Sequence, residues 1–338
     1  MSLTILAIGD SYLPVEAMRA PLAALQRSHA IRYATVDPDD RPPLAGLHEY
    51  QGSPAAIGGW LDEEDVLLVH AAPVTAELLD AHPSVKLVAC ARGGAVNIDL
   101  RAASERGVAV INTPGKNAVS VADLTMTFVN ILFRGIWAAN TWLRSEAASG
   151  VTHLDSTFVG GRWIAREPRG SVMGLIGIGA IGRLVAEQAH AAGMEVIAHD
   201  PYVVNAPEGV ELVCLEELLR RSDAVSLHAK VTKDNYHLVG EREIQQMKPG
   251  AFLVNTARES LLDEAALHEA LVSGRLRGAA LDVCEPDGLW SKLVVMPQVV
   301  LSPHLGGATV QTQERGLAML VADIERFARG ESLRHQVA

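Results

Sequence analysis

Hydrophobic residues fall in short, near-continuous blocks rather than in strict alternation. Residues 3–8, 31–36, 66–70, 87–91 and 108–111 form a first series of such blocks. A second series covers residues 171–176, 195–199, 224–228, 251–255, 278–283 and 299–301. Blocks this short, without a polar face, predict strands covered on both sides, as in parallel sheets. Residues 181–192, 215–221, 264–273 and 310–329 instead carry the helical period. Strand–helix–strand order repeated along the chain predicts an α/β fold: two Rossmann-like, doubly wound parallel-sheet domains with a cleft between them.

The two series separate at Asn112-Thr113-Pro114-Gly115. An amphipathic pattern over residues 120–144 then predicts one helix of about 25 residues, some 35–40 Å long at 1.5 Å rise per residue. It suits a bridge between lobes, a subunit contact or a plain core helix. A polar stretch, 149–169, leads into the second series. One echo relates the halves: His70-Ala71-Ala72-Pro73-Val74-Thr75 is matched by His228-Ala229-Lys230-Val231-Thr232. Each follows an apolar strand and precedes another that ends near an arginine, Arg92 or Arg258, so the order predicts two related lobes.

Composition narrows the function classes. At 338 residues the chain is long enough for two domains, and 49% hydrophobic against 20% charged residues gives each a core. Aromatics at 4% with 29 glycines favour α/β layers over a β-sandwich. A net charge of -11 argues against nucleic acid or an anionic membrane as the main partner. Cys90, Cys214 and Cys284 show neither close pairing nor metal-ligand spacing, so three small buried thiols in a reducing compartment are expected, and no metal. The N-terminal apolar run is too short for a signal sequence and no run reaches membrane-spanning length; a cytoplasmic protein is expected.

Chemistry enters with Gly177-Ile178-Gly179-Ala180-Ile181-Gly182, a G-x-G-x-x-G between an apolar strand and an amphipathic helix. Gly177 permits the tight turn, Gly179 lets backbone N–H groups approach a pyrophosphate, and Gly182 allows close helix packing. The next strand ends at Asp200, 18 positions beyond Gly182, where a carboxylate accepts from ribose hydroxyls and repels a 2′-phosphate. Loop and acid together predict NAD rather than NADP. Three further residues stand just beyond strands: Arg258, Glu285 and His304. Ligands in parallel sheets bind outside the carboxyl ends of strands, which directs all three toward the cofactor. A protonated imidazole can give its proton to a ketone oxygen, a carboxylate raises that imidazole's pKa, and a guanidinium offers a planar fork to a 2-oxo acid. The set predicts reduction of a 2-keto acid by NADH, or the reverse oxidation.

These segments resemble the D-isomer-specific 2-hydroxyacid dehydrogenase family, which includes phosphoglycerate, glycerate/hydroxypyruvate and glyoxylate-reducing enzymes. The likeness runs from about residue 66 to residue 330 and includes Gly93-Gly94-Ala95-Val96-Asn97-Ile98-Asp99, Asn112-Thr113-Pro114-Gly115, Val121-Ala122-Asp123, Asn255-Thr256-Ala257-Arg258, Ala280-Leu281-Asp282-Val283 and Pro303-His304-Leu305-Gly306-Gly307. It implies the family's Arg/Glu/His triad on Arg258, Glu285 and His304, with Asp282 near the nicotinamide carboxamide. Cofactor contacts are implied around Ala180, Ile181, Asp200, His228, Thr232, Thr256, Ala257 and Gly306, and the backbone of Arg92, Gly93 and Gly94 would hold the substrate carboxylate. It also implies discontinuous lobes, residues 1–112 with 310–338 binding substrate and 113–309 binding NAD, and a homodimer formed through the cofactor lobe.

Four departures from the family pattern bear on this reading. Glu285 comes three residues after Asp282, two fewer than usual; counting without a gap selects Asp287, whereas the spacing onward to His304 selects Glu285. Asp123 replaces a common Glu. Asn97 lacks the usual preceding Asp, which points to a different substrate, its specificity set by loops such as residues 10–14 and 71–75. A second anionic group on that substrate could meet Arg92 or Lys116. The chain stops at Ala338, so no extra regulatory domain is expected. The rival reading is a dinucleotide-sensing binding protein, but a sensor needs the loop and not the proton donor. Formate oxidation is disfavoured because that subgroup has Gln where Glu285 stands.

Overall fold

A computed structural model of the chain describes residues 1–286 and 288–338, with the backbone alone at Ser156 and Thr157. The chain forms two compact units, Met1–Asn117 with Ala308–Ala338, and Ala118–Gly307.

The first unit contains strands β1 (Thr4–Gly9), β2 (Ala30–Thr35), β3 (Val66–Val69), β4 (Leu87–Cys90) and β5 (Ala109–Ile111). Helices α1 (Val15–Leu22), α2 (Pro54–Trp60), α3 (Ala76–Ala81) and α4 (Leu100–Glu105) lie between strands or before them. The sheet is parallel, in the order β2-β1-β3-β4-β5. Its apolar blocks are explained by two cores. Leu67, Val69 and Val88 pack into one, while Val66, Leu68 and Leu87 pack into the other. Neighbouring residues of one strand therefore enter opposite cores, and neither can be polar.

The second unit begins with α5 (Ala118–Arg134), α6 (Ile136–Ala148) and a short α7 (Ser156–Val159). Its strands are β6 (Val172–Ile176), β7 (Glu195–His199), β8 (Val210–Leu212), β9 (Ala224–Leu227), β10 (Ala251–Asn255), β11 (Leu276–Leu281) and β12 (Val299–Leu301). Helices α8 (Ala180–Ala191), α9 (Leu215–Arg221), α10 (Glu241–Gln246), α11 (Glu264–Val272) and α12 (Trp290–Leu293) complete it. The parallel order is β12-β11-β10-β9-β6-β7-β8. Helix α13 (Val310–Ala328) then returns to the first unit and packs on α1.

The run β7-β6-β9-β10-β11 repeats the first sheet's β2-β1-β3-β4-β5. His70 and His228 follow the equivalent strands β3 and β9, and Arg92 and Arg258 lie just beyond β4 and β10. The echo in sequence is thus an echo in topology.

Several expectations are corrected. The single helix over 120–144 is two helices, bent by 64° at Gly135. Gly135 takes φ 61°, closing α5 with its N–H on the Leu132 carbonyl (3.2 Å) and accepting from the Ala139 N–H (3.1 Å). A left-handed residue ends an α-helix, and glycine adopts it without a Cβ penalty. Helix α5 buries Met126, Val129 and Phe133 against the sheet, with Phe133 tilted on Phe252 at 4.9 Å; α6 buries no side chain. Of the cysteines only Cys90 is buried. Cys284 is half-buried, and Cys214 is exposed because it precedes α9 at the outer edge strand β8. An unforeseen feature is the C-terminal tail, which pairs antiparallel with β5: the Val337 N–H donates to the Val110 carbonyl (2.8 Å), covering a sheet edge.

Candidate functional site

The glycine loop follows β6, where the strand order reverses. Gly177 has φ 97°, and a Cβ there would lie 2.7 Å from the backbone of His228 and Ala229. A Cβ on Gly182 would lie 2.3 Å from the Gly177 carbonyl oxygen, so the first turn of α8 rests directly on the loop. Gly179, the N-cap of α8, has open space where its Cβ would be. Free N–H groups in the first turn of a helix, with no side chain in front of them, make an anion cradle. Asp200 braces this loop: one oxygen accepts from the Ile178 N–H (3.0 Å) and the other from the Tyr202 N–H (3.0 Å). Each oxygen keeps a lone pair for a hydroxyl.

His228 lies behind the loop with Nε2 2.9 Å from the Ser226 hydroxyl, while its buried Nδ1 has no partner among the described residues. Burial pushes its pKa down to about 4, so the ring is neutral at pH 7. The cradle at Gly179, clear of side chains, and this orphaned nitrogen fit a dinucleotide. Thr256 is buried, its hydroxyl 2.9 Å from that of Thr125, and the Ala257 N–H donates to Asn255 Oδ1 (3.0 Å). Thr232 sits in an exposed loop tied by Asn235, its N–H 2.7 Å from Asn235 Oδ1.

His304 is held in an uncommon backbone state, φ 58°, in the left-handed region. Its N–H donates to the carbonyls of Asp282 (2.9 Å) and Ser302 (3.0 Å). The Asp282 carboxylate sits beneath this loop, 2% exposed. One oxygen accepts from the Ser302 hydroxyl and the Leu305 N–H (2.6 Å), and the other from the Gly306 N–H (2.7 Å). A Cβ on Gly306 would stand 2.9 Å from that carboxylate, so glycine is what lets the loop close down. Asp282 thus acts here as the brace that sets His304, a role its placement by resemblance does not suggest.

His304 and Glu285 line one cavity of about 460 Å³, together with Glu259, Cys284 and Trp290. Within it Glu285 faces His237 (Nε2 to Oε1, 3.8 Å) and the Tyr236 hydroxyl (3.5 Å), rather than pairing with His304. Asp287, the alternative partner, lies outside the described residues. Arg258 does not line this cavity, although its neighbour Glu259 does; its exposed guanidinium donates to the Ala257 carbonyl (2.7 Å), and Asn255 Nδ2 holds the Arg258 carbonyl (2.8 Å). Sequence reasoning missed Glu264, which is buried and accepts from the N–H groups of Glu285 (2.7 Å) and Leu289 (2.9 Å). It also missed His237, and no local pattern marks either.

In the first unit Gly93 and Gly94 are exposed, and Arg92 pairs with Glu49. Asp10, at the end of β1, accepts from the N–H groups of Tyr12 (2.9 Å), Leu13 (2.9 Å) and Ala71 (2.8 Å) and lies 3.0 Å from His70 Nδ1. Both loops expected to set specificity are therefore pinned by one carboxylate. Burial works to raise the Asp10 pKa, but His70 and the N–H donors outweigh it and hold the acid below its ordinary 3.8.

The parallel topology, the glycine loop and the strand-end carboxylate define a dinucleotide-binding oxidoreductase class, and comparison with known proteins narrows it. Residues 131–306 match the D-isomer specific 2-hydroxyacid dehydrogenase, NAD binding domain. The chain is 38% identical over 265 residues to a hydroxypyruvate reductase of Thermotoga maritima, covering 75% of this chain and 82% of that one. It is 36% identical over 336 residues to a D-3-phosphoglycerate dehydrogenase of Mycobacterium bovis, covering 98% of this chain and 58% of that longer protein. Among solved structures, an NAD-dependent formate dehydrogenase of Staphylococcus aureus in complex with NAD superposes with a TM-score of 0.76 at 26% identity, covering 98% of this chain and 97% of that one. The chain belongs to the D-isomer-specific 2-hydroxyacid dehydrogenase family, and its cofactor is NAD.

Proposed function

We propose that the protein interconverts a short 2-keto acid and its D-2-hydroxy acid, with a substrate of the glyoxylate, hydroxypyruvate or 3-phosphohydroxypyruvate kind. The observation that carries this reading is His304, fixed at φ 58° over the Asp282 brace in the cavity it shares with Glu285. NADH, when bound, supplies the hydride. His304 as imidazolium gives its proton to the ketone oxygen, and in the oxidative direction takes it back. Glu285 supplies the carboxylate of the triad from the same cavity wall. Arg258 supplies the guanidinium for the carboxylate and ketone oxygens, and the N–H groups of Gly93 and Gly94 are assigned to the carboxylate.

The test is NADH consumption with those three keto acids and longer homologues. At least one is turned over by the wild type, and His304→Ala lowers kcat by about 10²-fold or more while NADH affinity stays unchanged. Undiminished kcat in His304→Ala, or nucleotide binding without turnover of any keto acid, refutes the assignment.

A further inference from the structure

The loop after β4 is organised from behind in a way the proposed chemistry does not use. Three consecutive carbonyls are each taken by a donor from residues 112–116. Lys116 Nζ donates to the Ala91 oxygen (2.5 Å), the Thr113 N–H to the Arg92 oxygen (2.8 Å) and Asn112 Nδ2 to the Gly93 oxygen (2.9 Å). In a trans peptide the C=O and N–H point to opposite sides. Pinning the Arg92 and Gly93 carbonyls therefore turns the N–H groups of Gly93 and Gly94 away from these donors, and neither has an acceptor among the described residues.

Lys116 is unusual among the pins. It is nine-tenths buried, with no carboxylate in ion-pair range among the described residues. Its stem crosses Gly316 of α13, where a Cβ would lie 2.7 Å from Lys116 Cδ, and its own carbonyl accepts from Arg315 Nε (2.9 Å). A slot has thus been left for a buried ammonium one peptide unit before the two outward N–H groups.

We infer that residues 91–94 form a preorganised carboxylate seat whose positive charge comes from Lys116, acting through the pinned peptide units as a positioning residue. This inference rests on the reading of Gly93 and Gly94 as carboxylate donors and names what makes them effective. The ammonium bonds the Ala91 carbonyl, so it polarises the Ala91–Arg92 peptide directly and acts on the next two N–H groups, those of Gly93 and Gly94, through its field, which is amplified where water is excluded. Burial, the largest cause, lowers the Lys116 pKa to about 8, so the seat weakens as the ammonium deprotonates above that pH. The titratable and charged groups facing it are Asp10, His70, Cys90, Arg92 and Arg315. Asp10, His70 and Cys90 do not change charge between pH 7 and pH 9.5: Asp10 is ionised, and burial keeps His70 neutral and pushes the Cys90 thiol up to about 11.

The probe is oxalate, a planar two-carbon dianion, titrated calorimetrically into the full chain saturated with NADH at pH 7 and pH 9.5. The wild type binds oxalate and loses affinity between the two pH values. Lys116→Met weakens binding about tenfold at pH 7, the scale of one lost charge-assisted interaction, and shows less alkaline loss. Asn112→Ala weakens binding but keeps the wild-type alkaline loss, because the charge is still present. Both variants are first checked for an unchanged melting transition; should Lys116→Met fail to fold, Asn112→Ala and the wild-type pH profile decide. An oxalate Kd unchanged in Lys116→Met, a wild type without alkaline loss, or a wild type that does not bind oxalate overturns the seat. A wild type that reduces a keto acid with the same KM in Lys116→Met loses the seat and keeps the dehydrogenase reading. Lys116-dependent oxalate binding without turnover keeps the seat and removes that reading.

Discussion

Asp282→Asn is the most informative single change in the second unit. The wild-type carboxylate accepts from the Ser302 hydroxyl and the N–H groups of Leu305 and Gly306, and the residue is 2% exposed. An asparagine keeps the shape but offers one acceptor oxygen. Whichever way its amide turns, an NH₂ faces at least one backbone N–H, so a donor meets a donor where no water enters. One charge-assisted bond is lost and a buried N–H is left unsatisfied, together about 3 kcal/mol. For a unit the size of Ala118–Gly307, at about 2–4 °C per kcal/mol, the melting temperature should fall by roughly 6–12 °C. The chemistry should suffer separately. His304 keeps φ 58° because its N–H reaches the carbonyls of Asp282 and Ser302, and a loosened loop lets it relax to an ordinary conformation. A displacement of about 1 Å at a proton donor costs on the order of 10²-fold in rate. Calorimetric melting reads the first effect and steady-state NADH absorbance the second. A variant that melts within about 1 °C of wild type and retains its kcat refutes the brace.

The glycine loop separates a folding requirement from a binding one. Gly177→Ala puts a Cβ 2.7 Å from backbone at φ 97° and should destabilise the second unit by about 2 kcal/mol or more, seen as a lower melting temperature. Gly179→Ala meets open space, so melting should be unchanged while NADH affinity, read by nucleotide fluorescence, falls. In the first unit, Asp10 has a lower pKa folded than its ordinary 3.8. The stabilisation it brings is therefore complete above about pH 4 and lost as pH falls through the folded value. Urea unfolding from pH 7 to pH 3 should show that loss, and Asp10→Asn should flatten it.

Much of this architecture was legible because parallel strands are buried on both faces and must be written as apolar blocks. The paired expectation for β4 and β10, drawn from a short echo, held because equivalent strands of related sheets end in equivalent loops. Where burial is one-sided the text fades. Strand β8 is three residues with one exposed, and no block marks it. Helix periodicity runs unbroken across Gly135, and a glycine within a helical pattern costs only about 1 kcal/mol, so nothing in the pattern required a bend. The proposed reacting groups became candidates for a related reason: they follow strands β10, β11 and β12, and ligands of parallel sheets bind at strand ends. What orients them was not. Glu264 holds the backbone at Glu285 and Leu289, Asn112 and Lys116 hold carbonyls of the β4 loop, and Asp282 holds the loop of His304. Each reaches about 20 positions or more along the chain, farther than any local period extends. On the proposed reading, the reacting residues can be kept intact while an exchange at one of these distant supports is expected to disable the site. Asp282→Asn, Lys116→Met and Asn112→Ala each leave Arg258, Glu285 and His304 untouched, which is why they test the structure rather than the motif.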